Sequence, residues 1–239
     1  MVEKKVAGRD PMQLTAELVA LVERLEADPG PEPGCSDPCD ADYDTLTSKL
    51  LAAYQPNPLW LFAYGSLIWN PAFEVMEKRH AVVAGWHRAF CMTLTRWRGT
   101  RDFPGLMLAL DRGGSCSGLA YRLPDNDHAG QIRRLLVREL DHIPATNVPR
   151  WLTVRTEAGP VTALAFVAAP DGPAYAGRRS LEDVAKVLAY AAGHLGSSAQ
   201  YLYSTVQHLE EHGIRDRNLW RLQQLVAAEI RAAKIGATT

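Results

Sequence analysis

The stretch LWLFAYGSLIWNP, residues 59–71, opens on a continuous apolar run and breaks at Gly-Ser. That texture reads as a buried strand with a small-residue turn at its end. Working outward, HAVVAGWHRAFCMTL (80–94) reads as one or two strands. PGLMLAL (104–110) and SCSGLAYRL (115–123) flank Asp111-Arg112-Gly113-Gly114, which reads as the Gly-rich turn of a hairpin. WLTVRT (151–156) and VTALAFVA (161–168) flank Glu157-Ala158-Gly159-Pro160 and read as a second hairpin. Between the two, Asp125 suits the N-cap of a helix over about 126–141. The last third is helical. Ser180 with Asp183 and Ser197 with Gln200 fit capping boxes, Gly196 and Gly213 fit helix stops, and a final helix covers about 216–233. Strands in hairpins beside partly segregated helices predict an α+β fold around a mostly antiparallel curved sheet or barrel.

The chain before Leu59 has a different texture. Residues 11–27 place Leu14, Leu18, Leu21 and Leu25 at helical spacing. DPGPEPGCSDPCDADYD (28–44) is rich in Pro, Gly and Asp and holds no basic residue, so it reads as a surface loop or linker. A short helix over about 42–54 then leads to Pro56 and Pro58. Residues 1–57 are therefore expected to be an N-terminal helical extension with an acidic linker, too interrupted to bury much.

Composition narrows the function classes. The 239 residues allow one large domain, or one domain with an appendage, and 47% are hydrophobic, enough for a sizeable core. A formal net charge of -1 gives no basic field for nucleic acid or an anionic membrane. No apolar run approaches the roughly 20 residues needed to span a bilayer. The opening MVEKKVAGRDPMQL lacks the apolar centre of a secretory signal. These features predict a soluble, cytoplasmic protein with no nucleic-acid or membrane partner. Cys35, Cys39, Cys91 and Cys116 do not form paired CxxC knuckles, so they are expected to be free thiols, not a zinc site. Cys91 falls in an apolar strand-like run and is expected in the core.

The helix near 126–141 carries an anomaly. Ile132, Leu135, Leu136, Leu140 and Ile143 define one apolar stripe, and Glu139 falls in the middle of it. Arg134, Arg138 and Asp141 fall away from it. A carboxylate facing a core is costly when ionised and unpaired, so it must be paired, protonated or working. The other helical acids, Glu182, Asp183, Glu210 and Glu211, lie off their stripes. Pattern alone leaves two readings of Glu139 open: a structural ion pair with a buried Arg, or a functional carboxylate.

Ala63-Tyr64-Gly65-Ser66-Leu67 ends the first apolar run. Gly65 allows a sharp turn with successive N–H groups exposed, a geometry that can cradle a carboxylate or phosphate, and Ser66 can add a hydroxyl. Many strands end in Gly-Ser simply to turn. The sequence is not a G-x-S-x-G elbow, so Ser66 is not read as a nucleophile.

An ordered set of stretches resembles the ChaC-type γ-glutamylcyclotransferases: LWLFAYGSLIWNP (59–71), GWHRAFCMTLT (85–95), RGT (98–100), PGLMLAL (104–110), GLAYRLP (118–124), VREL (137–140) and GSSAQYLYSTVQHL (196–209). The resemblance covers roughly three quarters of the chain, from Leu59 to the C-terminal helices. It implies a small mixed, mostly antiparallel β-barrel flanked by helices, with residues 58–239 as the catalytic domain. It implies that Glu139 is the catalytic glutamate, that Tyr64, Gly65, Ser66, Leu67 and Ile68 bind the γ-glutamyl group, and that Tyr175 lines the pocket. It implies a lyase acting on glutathione, with 5-oxoproline and cysteinylglycine as products, no metal or organic cofactor, and a monomer or weak homodimer. Leu106 stands where bacterial relatives usually carry Arg, and Ala63 stands where Gly is commoner. Other γ-glutamyl compounds, or γ-glutamyl binding without catalysis, are the alternatives.

The implied chemistry suits these residues. A γ-glutamyl substrate brings its own nucleophile, since its α-amine closes a five-membered lactam on its γ-carbonyl. Well-oriented intramolecular attack can contribute on the order of 7–11 kcal/mol. One carboxylate can take the ammonium proton and return it to the departing nitrogen. An apolar setting raises a carboxyl pKa and improves both tasks.

Other motifs point elsewhere. His208-Leu209-Glu210-Glu211-His212 matches an H-x-x-E-H zinc pattern, but it sits before Gly213 at a helix end and lacks a third ligand, so metal binding is not expected. His87 reads as a strand or rim residue. Trp60, Trp69, Trp86 and Trp97 read as core or pocket wall. Arg96, Arg98 and Arg101 cluster near the RGT motif; such runs are most often solvated faces, with contact to a substrate carboxylate as the alternative.

Overall fold

A computed structural model describes residues 11–24, 26–32, 34–71 and 73–236. The elements in chain order are α1 (Ala16–Ala20), α2 (Asp40–Ala53), β1 (Trp60–Ala63), α3 (Ser66–Trp69), β2 (Glu77–Leu94), β3 (Gly105–Arg122) and α4 (His128–Glu139). They continue with β4 (Asn147–Thr156), β5 (Gly159–Ala168), α5 (Leu181–Tyr190), β6 (Ala192–Gly193), β7 (Gly196–Ser197), α6 (Ser198–Glu211) and α7 (Arg217–Gly236).

All four residues of β1 are buried because the strand is paired on both edges. It runs antiparallel to β3 and parallel to β5. Strands covered on both faces and both edges read as unbroken apolar runs, which is why residues 59–63 show no alternation. The closed order is β1-β3-β2-β4-β5, with β3 also touching β5. This is the mixed, mostly antiparallel α+β barrel that the sequence leads one to expect. Closure pairs β1 with β5, so neither strand is left as an edge of the barrel.

The hairpin expected at Asp111–Gly114 is not there. Residues 105–122 form one long strand paired along its length with β2. Ala84 pairs with Ser115 and Trp86 with Arg112, so Gly113 and Gly114 lie opposite Gly85. All three glycines have positive φ (+80°, +103° and +67° for Gly85, Gly113 and Gly114). They form a bulge that bends the ribbon, not a turn that ends it. The second hairpin, β4–β5, is as expected, with Thr156 opposite Gly159.

Local signals held to different degrees. The N-cap of α4 is Asp127, whose side chain accepts from the Gly130 amide at 3.0 Å; Asp125 instead pairs with Arg122. Ser180 and Ser197 cap α5 and α6 as expected. Gln200 does not complete its box, because its side chain turns to Arg98. Gly213 follows α6 at φ +68°, as a helix stop should, whereas Gly196 lies in the β6–β7 hairpin.

The N-terminal segment is more deeply docked than its interrupted sequence suggests. Helix α1 is a single turn, and Leu25 lies outside the described residues. Even so, Leu14 is fully buried, and the Gln13 and Leu14 amides both donate to Gln223 Oε1 at 2.9 Å. Tyr43 and Leu50 of α2 join the main core, and Trp151 Nε1 donates to the Leu50 carbonyl at 3.0 Å. The acidic linker is tied to cationic partners: Asp28 and Asp37 to Arg96, Glu32 to Arg101, Asp40 and Asp44 to Arg133. Among the described residues the helical spacing over 11–27 is realised as helix only at Ala16–Ala20, and Leu14 is anchored outside it.

Arg88, only 4% exposed, fixes the end of β1. Its Nε donates to the Tyr64 carbonyl at 2.6 Å, its Nη2 to the Ser117 carbonyl, and its Nη1 to Asp216 at 3.1 Å. Asp216 in turn accepts from the Leu219 amide in the first turn of α7. One buried guanidinium thus joins the turn after β1, strand β3 and α7.

Truncating the deep N-terminal anchor tests whether this segment belongs to the core. Leu14→Ala should cost about 2–5 kcal/mol in urea unfolding. Leu21→Ala, at a site 42% exposed, should cost under about 0.5 kcal/mol. Equal, small losses would show that residues before α2 are not part of the cooperative unit.

Candidate active site

Glu139 is the last residue of α4, and the apolar stripe that places it is buried as expected: Ile132, Leu135, Leu136 and Leu140 are each 3% exposed or less. The Glu139 side chain is 15% exposed. Arg138, placed off the stripe by helical spacing, folds its long side chain back so that Nε donates to Glu139 Oε1 at 3.0 Å. Asn147 Nδ2 donates to the Glu139 carbonyl at 3.2 Å. Burial pushes the Glu139 carboxyl above its ordinary value of 4.5, against the opposing pull of the Arg138 charge and hydrogen bond. The ion-pair reading and the functional reading of Glu139 therefore coexist, because the paired carboxylate also faces a cavity.

That cavity has a volume of about 430 Å³ and is lined by Ser66, Arg98, Leu106, Met107, Glu139 and Tyr201, among others. The size suits a small organic ligand. A smaller recess of about 20 Å³ is lined by Tyr64, Gly65, Ser66, Leu67, Glu139, Asn147 and Tyr201, together with Met107 and Leu108. It has room for about one water molecule. Ser66, Met107, Glu139 and Tyr201 line both, so the recess is the inner end of the larger space.

The turn after β1 forms the wall of that recess. Gly65 packs closely there, since a Cβ would meet Tyr201 Oη at 3.3 Å, a tight contact, and Leu108 Cδ2 at 3.5 Å, an ordinary one. The Ile68 amide donates to the Gly65 carbonyl at 2.9 Å, which folds Ser66–Trp69 into the single turn α3. Ile68 itself is buried beneath the turn and lines neither space. Tyr64 is buried, and its hydroxyl donates to the Phe166 carbonyl at 2.9 Å. Burial and nearby Glu139 hold that phenol well above its ordinary pKa.

Tyr175 is not brought to this site. Its hydroxyl donates to the Asp111 carboxylate, at 3.2 and 3.1 Å to the two oxygens. It packs with Cys91, Met92, Ala109 and Ala168 in a separate small cluster, and it lines neither space. The bridge between Tyr175 and Met92 on β2 fixes it there.

Three residues of the site escaped notice in the sequence. Tyr201 on α6 stands over the Gly65-Ser66 turn; burial first and Glu139 second push its phenol to about 12, while Arg98 and the Ser66 hydroxyl and amide pull the other way. The signal was available, since a Tyr on the same buried face as Leu202 and Leu209 carries a hydroxyl into the core. Asn147 is 3% exposed, and its Oδ1 has no hydrogen-bond partner among the described residues. Arg138 was the third. The H-x-x-E-H motif is dispersed: His208 Nδ1 lies 2.7 Å from the Ser204 carbonyl, and His212 caps α6. No group of three metal-ligating side chains occurs among the described residues, and no helix among them is long and apolar enough to cross a membrane.

A closed mixed barrel with a half-buried carboxylate above a Tyr-Gly-Ser-Leu turn defines the class. The fold is shared with the crystal structure of a γ-glutamyl cyclotransferase specific to glutathione from yeast, at TM-score 0.65 and 22% identity over 72% of this chain and 97% of that one. Residues 59–229 match the ChaC-like protein family, and this chain belongs to that family. It is 40% identical to a glutathione-specific γ-glutamylcyclotransferase of Escherichia coli over 73% of this chain and 75% of the relative. It is 31% identical to γ-glutamylcyclotransferase 2-3 of Arabidopsis thaliana, over 70% and 88%.

The raised Glu139 pKa makes a prediction about stability. The folded state holds the Glu139 proton more tightly than the unfolded chain, so ionisation costs folded-state stability. The cost is absent below the unfolded value and grows as pH rises through the folded one. Glu139→Gln removes it. The melting temperature of Glu139→Gln relative to the parent should therefore rise between about pH 4 and pH 7. A difference that falls over that interval would mean that the native site lowers the pKa.

Proposed function

We propose that this chain is a glutathione-specific γ-glutamylcyclotransferase, a lyase that releases 5-oxoproline and cysteinylglycine from glutathione. Its place in the ChaC-like family and its 40% identity to an enzyme of that name support the activity. The observation that carries the site is that one half-buried carboxylate, Glu139, lines both the substrate-sized cavity and the recess behind the Tyr64–Leu67 turn.

In this reading the γ-glutamyl head enters the inner end. Tyr64, Gly65, Ser66 and Leu67 form its binding turn, with Ile68 supporting it from beneath and free amides of the turn offered to the α-carboxylate. The α-ammonium lies in the recess between the Glu139 carboxylate, already paired with Arg138 through Oε1, and Asn147 Oδ1, which has no donor among the described residues. Glu139 takes a proton from the ammonium. The freed amine attacks the γ-carbonyl, forming the lactam C–N bond. The bond to the cysteinyl nitrogen breaks as Glu139 returns its proton to that nitrogen, and the second proton lost by the attacking nitrogen passes to the released amine, leaving a neutral lactam N–H and the ammonium of cysteinylglycine. Burial serves both steps by bringing the carboxyl closer to the working pH. The nucleophile is the substrate's own amine, so the reading calls for no metal or organic cofactor. Tyr175 has no part in it. Residues 58–239 are read as the catalytic unit and residues 1–57 as its N-terminal extension and acidic linker. We place the protein in the cytoplasm as a monomer or weak homodimer.

Product analysis tests the reading. Incubation with glutathione should yield 5-oxoproline and cysteinylglycine in equal amounts. Glu139→Gln should fold and lose about 10²–10⁴ in kcat. A folded Glu139→Gln protein of unchanged activity would remove Glu139 from the mechanism.

A further inference from the structure

Three cations line the substrate cavity, and two of them are already neutralised. Arg96 holds Asp28 at 2.7 Å and Asp37 at 2.9 Å. Arg138 holds Glu139 at 3.0 Å. Arg98 has no carboxylate within 4 Å among the described residues. The remaining acid on the cavity wall, Asp141, is engaged by His142 at 2.7 Å. Glu23, which Arg98 feels at longer range, is used by the Ser197 amide and hydroxyl at 3.2 and 2.7 Å.

Arg98 is also held in place. Its Nη1 donates to the Ser197 carbonyl at 3.0 Å and to Gln200 Oε1 at 2.6 Å, and its guanidinium lies 5.6 Å from the Tyr201 ring centroid. Those contacts use one nitrogen and leave the rest of a five-donor fork available. Burial disfavours the charged form and Glu23 offsets this only at longer range, so a half-buried guanidinium with no carboxylate in contact gains from meeting one. Tyr201 reaches the inner recess, whereas Arg98 is held at the N-terminal turn of the same helix and lines only the outer cavity. The position is that of a receptor for the end of the substrate that points away from Glu139.

We propose that Arg98 binds the carboxylate at the far end of the substrate, the glycine carboxylate of glutathione, and so sets the preference for the tripeptide over shorter or capped γ-glutamyl compounds. The inference rests on the proposed reaction and adds its specificity contact. A bidentate carboxylate pair across Arg98 supplies the missing counter-charge and pulls the γ-glutamyl head inward against the turn.

The test compares glutathione with its glycine-amide derivative, in which that carboxylate is uncharged. Both retain the amine and γ-carbonyl that react. Wild-type kcat/KM should be about 10- to 100-fold higher for glutathione, the loss expected for hydrogen bonds to a charged group. Arg98→Met should lower kcat/KM for glutathione by that factor through KM, leave the amide substrate unchanged, and so close the gap. Arg98→Lys should recover part of it. Equal wild-type turnover of the two compounds overturns the assignment while leaving the reaction intact. An Arg98→Met protein that loses both substrates equally also overturns it, since the contact would then be to the γ-glutamyl head or purely structural. The wild-type comparison does not depend on how any variant folds.

Discussion

A carboxylate held at the end of an apolar helix face, with only an adjacent guanidinium to balance it, is the constraint on which this site depends. Burying Glu139 with no partner would expel the proton problem into the folding energy. Burying it with a fully dominant partner would leave it a poor acid. Arg138 offers an intermediate: its Nε pairs with Glu139 Oε1 at 3.0 Å, yet the balance of burial against that pair still favours the protonated form relative to an ordinary glutamate. The barrel supplies the rest. Arg88 ties the Tyr64 carbonyl to Ser117 and Asp216, so the turn that forms the far wall of the recess is fixed by a buried hydrogen-bond network rather than by loop packing alone.

The two ends of the cavity have opposite electrical character. The inner end holds acceptors, Glu139 and Asn147 Oδ1. The outer end holds a cation, Arg98, whose neighbours are already paired. The γ-glutamyl head of the tripeptide brings an ammonium to these acceptors and an α-carboxylate to the turn, while the only charge at its other end is a carboxylate, which suits Arg98. Leu106 on the same wall adds apolar surface and no charge.

Much of the fold was legible because its signals are local. Residues 59–63 announce a doubly covered strand by their lack of alternation, and β4–β5 announces a hairpin by its turn. Glu139 was legible because it breaks a stripe. What failed did so for reasons of partnership. Gly113-Gly114 reads alike as a turn or a bulge, and only Gly85 on the facing strand decides. Arg138 points away by helical spacing, but a long flexible side chain is not bound by the direction of its Cβ. Leu14 falls in a helical period, but it lies before the single turn α1 and buries as a separate anchor, as Tyr43 does. Tyr175 was placed by resemblance alone, and its partners Met92 and Asp111 draw it to another cluster. Tyr201 and Asn147 carry polar groups into buried positions as Glu139 does, and the same test applied to every polar residue on an apolar face would have found Tyr201.

The central claim is that the native site makes Glu139 a weaker acid than an ordinary glutamate while keeping it open to the cavity. Carbon-13 NMR titration of the glutamate side-chain carboxyls measures this directly, with the Glu139 signal identified by its loss in Glu139→Gln. The account predicts a midpoint above the ordinary value of 4.5. A midpoint at or below that value would mean that Arg138 dominates and that Glu139 is a structural ion pair, which contradicts the account.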